Sequence, residues 1–240
     1  MHMNTKVSPD FDSLSRTAMD ETMRIIRDAV AQRGRFSIAL SGGETPTGMY
    51  RLWAQEPYRQ QTPWKQVHLL WGDERYVPHD DPLSNFRLAR ETFISRVPIP
   101  PENVHPMPTV SAPPDKSAET YELELRNFFG TEPPEIDLQL QGIGQEGHTA
   151  SLFPGSPALE EKQRWVLAVR VAATPPQRVT LSPVVLNRGR NTIFLVSGAK
   201  KREIIAALRS EPDSKTSRYP AARIQPPGGV LWMLDKAAAG

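Results

Sequence analysis

Apolar positions recur at helical spacing between Phe11 and Gln32, at Phe11, Leu14, Ala18, Met23, Ile26, Ala29 and Val30, with acids early in the run and arginines late. That period predicts an amphipathic helix, with Ser8 and Asp10 as cap candidates. Short apolar runs bounded by turn residues follow. Phe36–Leu40 predicts a buried strand, Ser41-Gly42-Gly43-Glu44-Thr45-Pro46 the turn after it, and Pro46 the start of a helix, because proline suits a first helical position. Val67–Trp71 predicts a second strand with Gly72-Asp73-Glu74-Arg75 as the loop beyond it, and Ser84–Ile94 a helix.

A proline-rich connection runs from Val97 to Pro114, and a helix is expected from Ser117 to Phe129. Further strands are predicted at the run ending near Gln141 and at Trp165–Val171, Arg178–Leu181, Asn191–Val196 and Val230–Leu234, with helices beginning near Ser182 and Ala199. Strand–helix alternation of this kind predicts an α/β fold, a mostly parallel sheet with helices on both faces. No repeat, linker or low-complexity tract interrupts it, so the 240 residues read as a single domain, 1–240. On this reading the chain before Phe36 is one amphipathic helix.

Composition narrows the function. A net charge of +2 with scattered basic residues provides no field for nucleic acid or a membrane surface. The absence of cysteine removes disulfides and thiolate metal sites and suits a reducing, cytoplasmic setting. No apolar run reaches membrane-spanning length and no signal peptide is visible. The 24 prolines fall between periodic segments and act as punctuation. The expected partner is a small molecule, and the chain a monomer or small homo-oligomer.

The segment Ile136-Asp-Leu-Gln-Leu-Gln-Gly142-Ile-Gly144-Gln-Glu146-Gly147-His148 carries the most chemistry. A strand pattern ends in glycines, then sets an acid two residues before a histidine, the side chain whose ordinary pKa lies nearest neutrality. In α/β proteins that carboxyl edge is where ligands bind. The glycines also match G-x-G-x-x-G, but Pro154, Gly155 and Pro157 break any long helix and Trp165–Val171 ends without an acid, which argues against a dinucleotide site. Ser151 lacks the Gly-x-Ser-x-Gly elbow of a serine hydrolase.

Two other loops are chemically loaded. Ser41-Gly42-Gly43 before a helix start can present backbone N–H groups to an anion. Asp73-Glu74-Arg75 places three charges after an apolar strand, costly to bury unless they pair or bind something. Arg178 and Lys200 or Lys201 are the cations suited to a phosphate. His68, His79 and His105 are scattered and His2 is given no role; no zinc site is expected.

Taken in order, Ser41-Gly-Gly-x-Thr45-Pro, Asp73-Glu74-Arg75 with Ser84-Asn85 downstream, and Gly142-x-Gly-x-x-Gly-His148-Thr-Ala-Ser-Leu-Phe-Pro-Gly155 resemble the 6-phosphogluconolactonase family. The likeness runs from about Ser41 to Lys201. It implies a three-layer α/β sandwich like that of glucosamine-6-phosphate deaminase and ribose-5-phosphate isomerase. The implied activity is hydrolysis, without cofactor or metal, of 6-phospho-D-glucono-1,5-lactone to 6-phosphogluconate in the oxidative pentose phosphate pathway. His148 would be the base that activates water, Glu146 its orienting acid, Arg75 a cation for the oxyanion or the phosphate, and Asp73 an orienting acid for Arg75 or the sugar. Asn85 would contact a hydroxyl, while Ser41, Gly42, Gly43, Thr45, Arg178 and Lys201 would grip the phosphate. The family usually has Asp-Gly-His where this chain has Glu146-Gly147-His148. The rival chemistries are a sugar-phosphate deaminase or isomerase, disfavoured by Phe153 where the deaminases carry a proton-transferring glutamate, and a non-catalytic sugar-phosphate sensor.

Overall fold

A computed structural model describes residues 3–210 and 216–240; His2 lies outside them. The first helix forms over Phe11–Arg33 (α1), where the Asp10 carboxylate accepts the Ser13 N–H at 2.7 Å and Gly34, at φ 72°, ends the helix in the left-handed region. Strands form at Asn4–Ser8 (β1), Phe36–Leu40 (β2), Val67–Trp71 (β3), Asp73–Arg75 (β4), Leu138–Gln141 (β5), Val166–Arg170 (β6), Gln177–Leu181 (β7), Thr192–Val196 (β8) and Val230–Asp235 (β9). The other helices are Glu44–Trp53 (α2), Tyr58–Gln61 (α3), Asn85–Thr92 (α4), Pro114–Phe129 (α5), Pro183–Leu186 (α6), Arg202–Arg209 (α7) and Lys236–Ala239 (α8).

Six strands make one sheet in the order β1-β9-β8-β5-β2-β3, every neighbouring pair parallel. All residues of β2, β5 and β8 are buried, as required when helices cover both faces of a parallel sheet. The alternation in β5 therefore does not separate core from water. Gln139 and Gln141 are interior, with Gln139 Nε2 donating to the Val185 carbonyl at 3.0 Å. From β2 the chain winds outward to β3, then returns to β5 on the other side and proceeds through β8 to β9. The strand order thus reverses between β2 and β5, so the loops after them open a crevice at the carboxyl edge.

Several expectations are corrected. The chain before Phe36 is not one helix: β1 pairs with β9, Val7 opposite Leu234, and becomes the sheet edge. Gly72–Arg75 is not an open loop, because Asp73–Arg75 pairs antiparallel with β7. The runs at Trp165 and Arg178 leave the main sheet and form a second, antiparallel sheet, β4-β7-β6. Helix α2 starts at Glu44, before Pro46. The helix expected near Ser182 is the single turn α6, and a 3-10 turn at Ala199–Lys201 precedes α7.

Candidate active site

The loops after β2, β5 and β8, together with β4 and β7, enclose a cleft of about 840 Å³. Every site residue expected from the sequence lines it: Ser41, Gly42, Gly43, Thr45, Asp73, Arg75, Asn85, Glu146, His148, Arg178 and Lys201. Sequence separations exceeding 100 residues converge at the reversal of strand order.

The first loop is held by Tyr50. The Ser41 N–H donates to its hydroxyl at 3.1 Å, and that hydroxyl donates back to the Ser41 carbonyl at 2.8 Å. Burial pushes the phenol far above its ordinary range, so it stays a donor. Gly43 has φ 96°, a region open to glycine, and caps α2 without a side chain, leaving first-turn N–H groups free for an anion. Thr45 Oγ1 and Ser197 Oγ lie 3.0 Å apart, joining this loop to the one after β8.

Strand β4 sorts its three charges. The Glu74 carboxylate is buried and accepts from the backbone of Arg75, Asn85 and Phe86 and from Ser84 Oγ, at 2.7 to 3.0 Å. It therefore serves the start of α4; burial raises its pKa against those hydrogen bonds. The Asp73 carboxylate does not orient Arg75, one of the two roles expected for it; it accepts from Ser151 Oγ at 2.6 Å and Asn85 Nδ2 at 3.4 Å. The β4–β7 register puts Arg75 directly opposite Arg178. Arg75 donates to the Leu83 carbonyl at 2.7 Å and keeps a buried Nε without a partner; Arg178 donates to the Pro175 carbonyl at 2.9 Å. Burial first, then Arg75, lowers the Arg178 pKa, a combination that an anion between the two guanidiniums would relieve.

The third loop carries the acid–base pair. His148 Nδ1 lies 2.9 Å from Glu146 Oε1, and the imidazole side chain is 29 % exposed. Burial works to raise the Glu146 pKa, but its own backbone N–H, His148 and Lys201 outweigh that and hold it below the ordinary value. Lys201 Nζ donates to the Ile143 carbonyl at 2.5 Å, and its own pKa is lowered by burial despite Glu146. Gly144 gives the pair room, because a methyl group there would overlap His148 Nδ1. The imidazole also stacks on Phe153, ring centroids 4.2 Å apart and planes 12° apart.

Sequence reasoning passed over Ser151, Phe153 and Ser197 as working parts of the site. Ser151 is buried, and its hydroxyl is committed to Asp73. The signal for it lay in the Thr-Ala-Ser-Leu-Phe-Pro string, whose side-chain directions no linear pattern specifies. His68 Nδ1 meets His105 Nε2 at 3.3 Å, and His79 bonds the Met107 carbonyl; neither arrangement borders the cleft. Among the described residues no group of three or more His, Cys, Asp or Glu could hold a metal ion.

The family profile described as glucosamine-6-phosphate isomerases/6-phosphogluconolactonase matches residues 9–233. A 6-phosphogluconolactonase of Synechocystis sp. is 43 % identical over 94 % of this chain and 92 % of its own length. The structure of 6-phosphogluconolactonase from Trypanosoma cruzi superposes with a TM-score of 0.85 at 28 % identity, covering 99 % of this chain and 96 % of that one. A monomeric glucosamine-6-phosphate deaminase, at 20 % identity, a TM-score of 0.83 and 99 % coverage of both chains, shares the fold. A chain with this fold, these loops and relatives of this identity over nearly its whole length belongs to the glucosamine-6-phosphate isomerase/6-phosphogluconolactonase family.

Proposed function

We propose that this chain is an enzyme that hydrolyses 6-phospho-D-glucono-1,5-lactone to 6-phospho-D-gluconate, in the oxidative pentose phosphate pathway, as a single α/β domain. The observation that carries the reading is the His148–Glu146 pair at 2.9 Å, in a cleft that also holds the opposed Arg75 and Arg178. Relatives 43 % and 40 % identical bear the name 6-phosphogluconolactonase.

Glu146 accepts the Nδ1–H of His148, which leaves Nε2 with its lone pair. That nitrogen takes a proton from water as the water oxygen bonds to C1, and the carbonyl π electrons move to its oxygen. General base catalysis of this kind contributes about 10²–10⁴-fold. When the tetrahedral intermediate collapses, the C1–ring-oxygen bond breaks and the ring oxygen recovers the proton from the imidazolium. The carboxylic acid that forms then ionises. Arg75 and Arg178, with the Ser41-Gly42-Gly43 turn, Thr45 and Lys201, bind the 6-phosphate, so remote binding energy places C1 beside His148. Asp73 and Asn85, bonded to each other, present polar atoms to the sugar hydroxyls. An apolar ring at Phe153 offers no proton carrier, which disfavours a deaminase. No described helix is long and apolar enough to cross a membrane.

The test is proton release from freshly generated 6-phosphogluconolactone. Wild-type turnover well above spontaneous hydrolysis, abolished in a folded His148→Ala protein, supports the reading. A wild type no faster than the buffer sinks it.

A further inference from the structure

The Glu146 hydrogen bond holds one edge of the His148 ring but leaves it free to swing about the Nδ1–H axis. A second restraint comes from a tight turn. Thr149 and Leu152 form an antiparallel bridge, the Leu152 N–H donating to the Thr149 carbonyl at 2.9 Å, and Ala150 enters the left-handed region at φ 48°. Residues 148 and 153 are therefore the next pair outward, and their rings stack face to face.

Both arms of this turn are anchored. Thr149 Oγ1 lies 2.8 Å from Gln141 Oε1 and 2.9 Å from the Gly142 carbonyl, at the end of β5. Ser151 is tied at its N–H to Thr180 Oγ1 on β7, at 3.2 Å, and at its hydroxyl to Asp73 on β4. Leu152 is fully buried in the core. The turn thus carries Phe153 to His148 on a support fixed to both sheets.

We propose that Phe153 is a positioning residue for the base: its ring sets the plane of the His148 imidazole, so that the nitrogen left free by Glu146 has one direction into the cleft. This rests on the lactone-hydrolysis reading for its kinetic consequence, but not for its geometry. An edge restraint from Glu146 and a face restraint from Phe153 together remove the ring's two rotations. A catalytic group held this way is aligned before substrate arrives, and misalignment of about 1 Å costs on the order of 10²-fold in rate.

The experiment compares wild type with Phe153→Leu, Phe153→Met, Phe153→Tyr and Phe153→Trp, by lactone hydrolysis and by ¹⁵N NMR of the histidine side chains. Leucine and methionine fill space without a flat face; two aliphatic variants are used so that one misfolded protein does not end the test. The expected result is a fall in kcat of about 10- to 100-fold in the aliphatic variants with KM within about twofold, and recovery of most of kcat by tyrosine or tryptophan. In the spectra, the Nδ1-protonated tautomer set by Glu146 should persist in every protein, while the His148 ring nitrogen signals should broaden in the aliphatic ones as the ring gains rotation and stay sharp in the aromatic ones. Aliphatic variants with wild-type kcat and ring signals as sharp as those of wild type would overturn the proposal. If wild type does not hydrolyse the lactone, the functional reading fails, and the comparison of ring signals alone decides the role of Phe153.

Discussion

Arg75 on β4 and Arg178 on β7 stand directly opposite one another, two guanidiniums in register across an antiparallel pair. Like charges so placed destabilise a sheet, and here burial adds to the cost because Arg178 is only 7 % exposed. The proposed phosphate site accounts for the arrangement, because an anion between the two guanidiniums would offset their repulsion. Replacing Arg178 with methionine should leave thermal stability without ligand equal or higher, and should remove most of the stabilisation that inorganic phosphate confers on the wild type. KM for the lactone should rise about 10- to 100-fold, the worth of one charge-assisted hydrogen bond. Thermal shift with and without phosphate, beside steady-state kinetics, checks this; a variant that loses stability yet binds phosphate normally contradicts it.

Glu146 should matter through its charge. Glu146→Gln keeps the length and can still accept from Nδ1–H, but it no longer steadies the imidazolium formed when Nε2 takes the proton. A fall in kcat of about 10- to 1,000-fold with little change in KM is expected, the pattern of an interaction made in the transition state. Equal kcat in the two proteins would assign Glu146 no more than a structural part.

Gly144 should tolerate no side chain. A methyl group there overlaps His148 Nδ1 and the Glu146 carboxylate, both ends of the hydrogen bond between them. Gly144→Ala should therefore fold, because the atoms that must give are the ends of two side chains, Glu146 exposed and His148 half-buried, but lose about 10²-fold in kcat. A circular dichroism melt near that of wild type, with the activity gone, is the expected pair of results.

Away from the cleft, His68 provides a pH signature. Burial first, then His105 and Arg35, pulls its imidazole down to about 4. The unfolded chain holds the same group near its ordinary value of about 6.5, so between these limits the unfolded state binds more protons. Its stabilising contribution is complete above about pH 6.5 and is lost as the pH falls toward 4. Urea midpoints measured from pH 7.5 to 4.5 should fall less steeply in His68→Asn than in wild type; parallel curves would remove His68 from the account.

Local physics wrote much of the architecture into the chain. Asp10 and Gly34 bound the first helix through an N-cap and a left-handed residue, and the apolar runs at Phe36, Val67, Thr192 and Val230 became strands because only a doubly covered sheet buries such runs. The ordered loops were likewise legible, since glycines, charges and a histidine at strand ends announce ligand chemistry. Other features were decided by partners distant in sequence. Asn4–Ser8 is short and polar, and is a strand because β9 offers it an edge; Asp73–Arg75 is a strand because β7 pairs with it. The same pairing set Arg75 against Arg178, withdrew Glu74 to α4, and left Asp73 to Ser151, 78 residues away. Phe153 meets His148 only because a turn anchored to both sheets closes between them. Periodicity and capping act within a few residues and can be read along the chain. Pair identities and side-chain directions across strands depend on which surfaces meet, and only the tertiary structure brings those surfaces together.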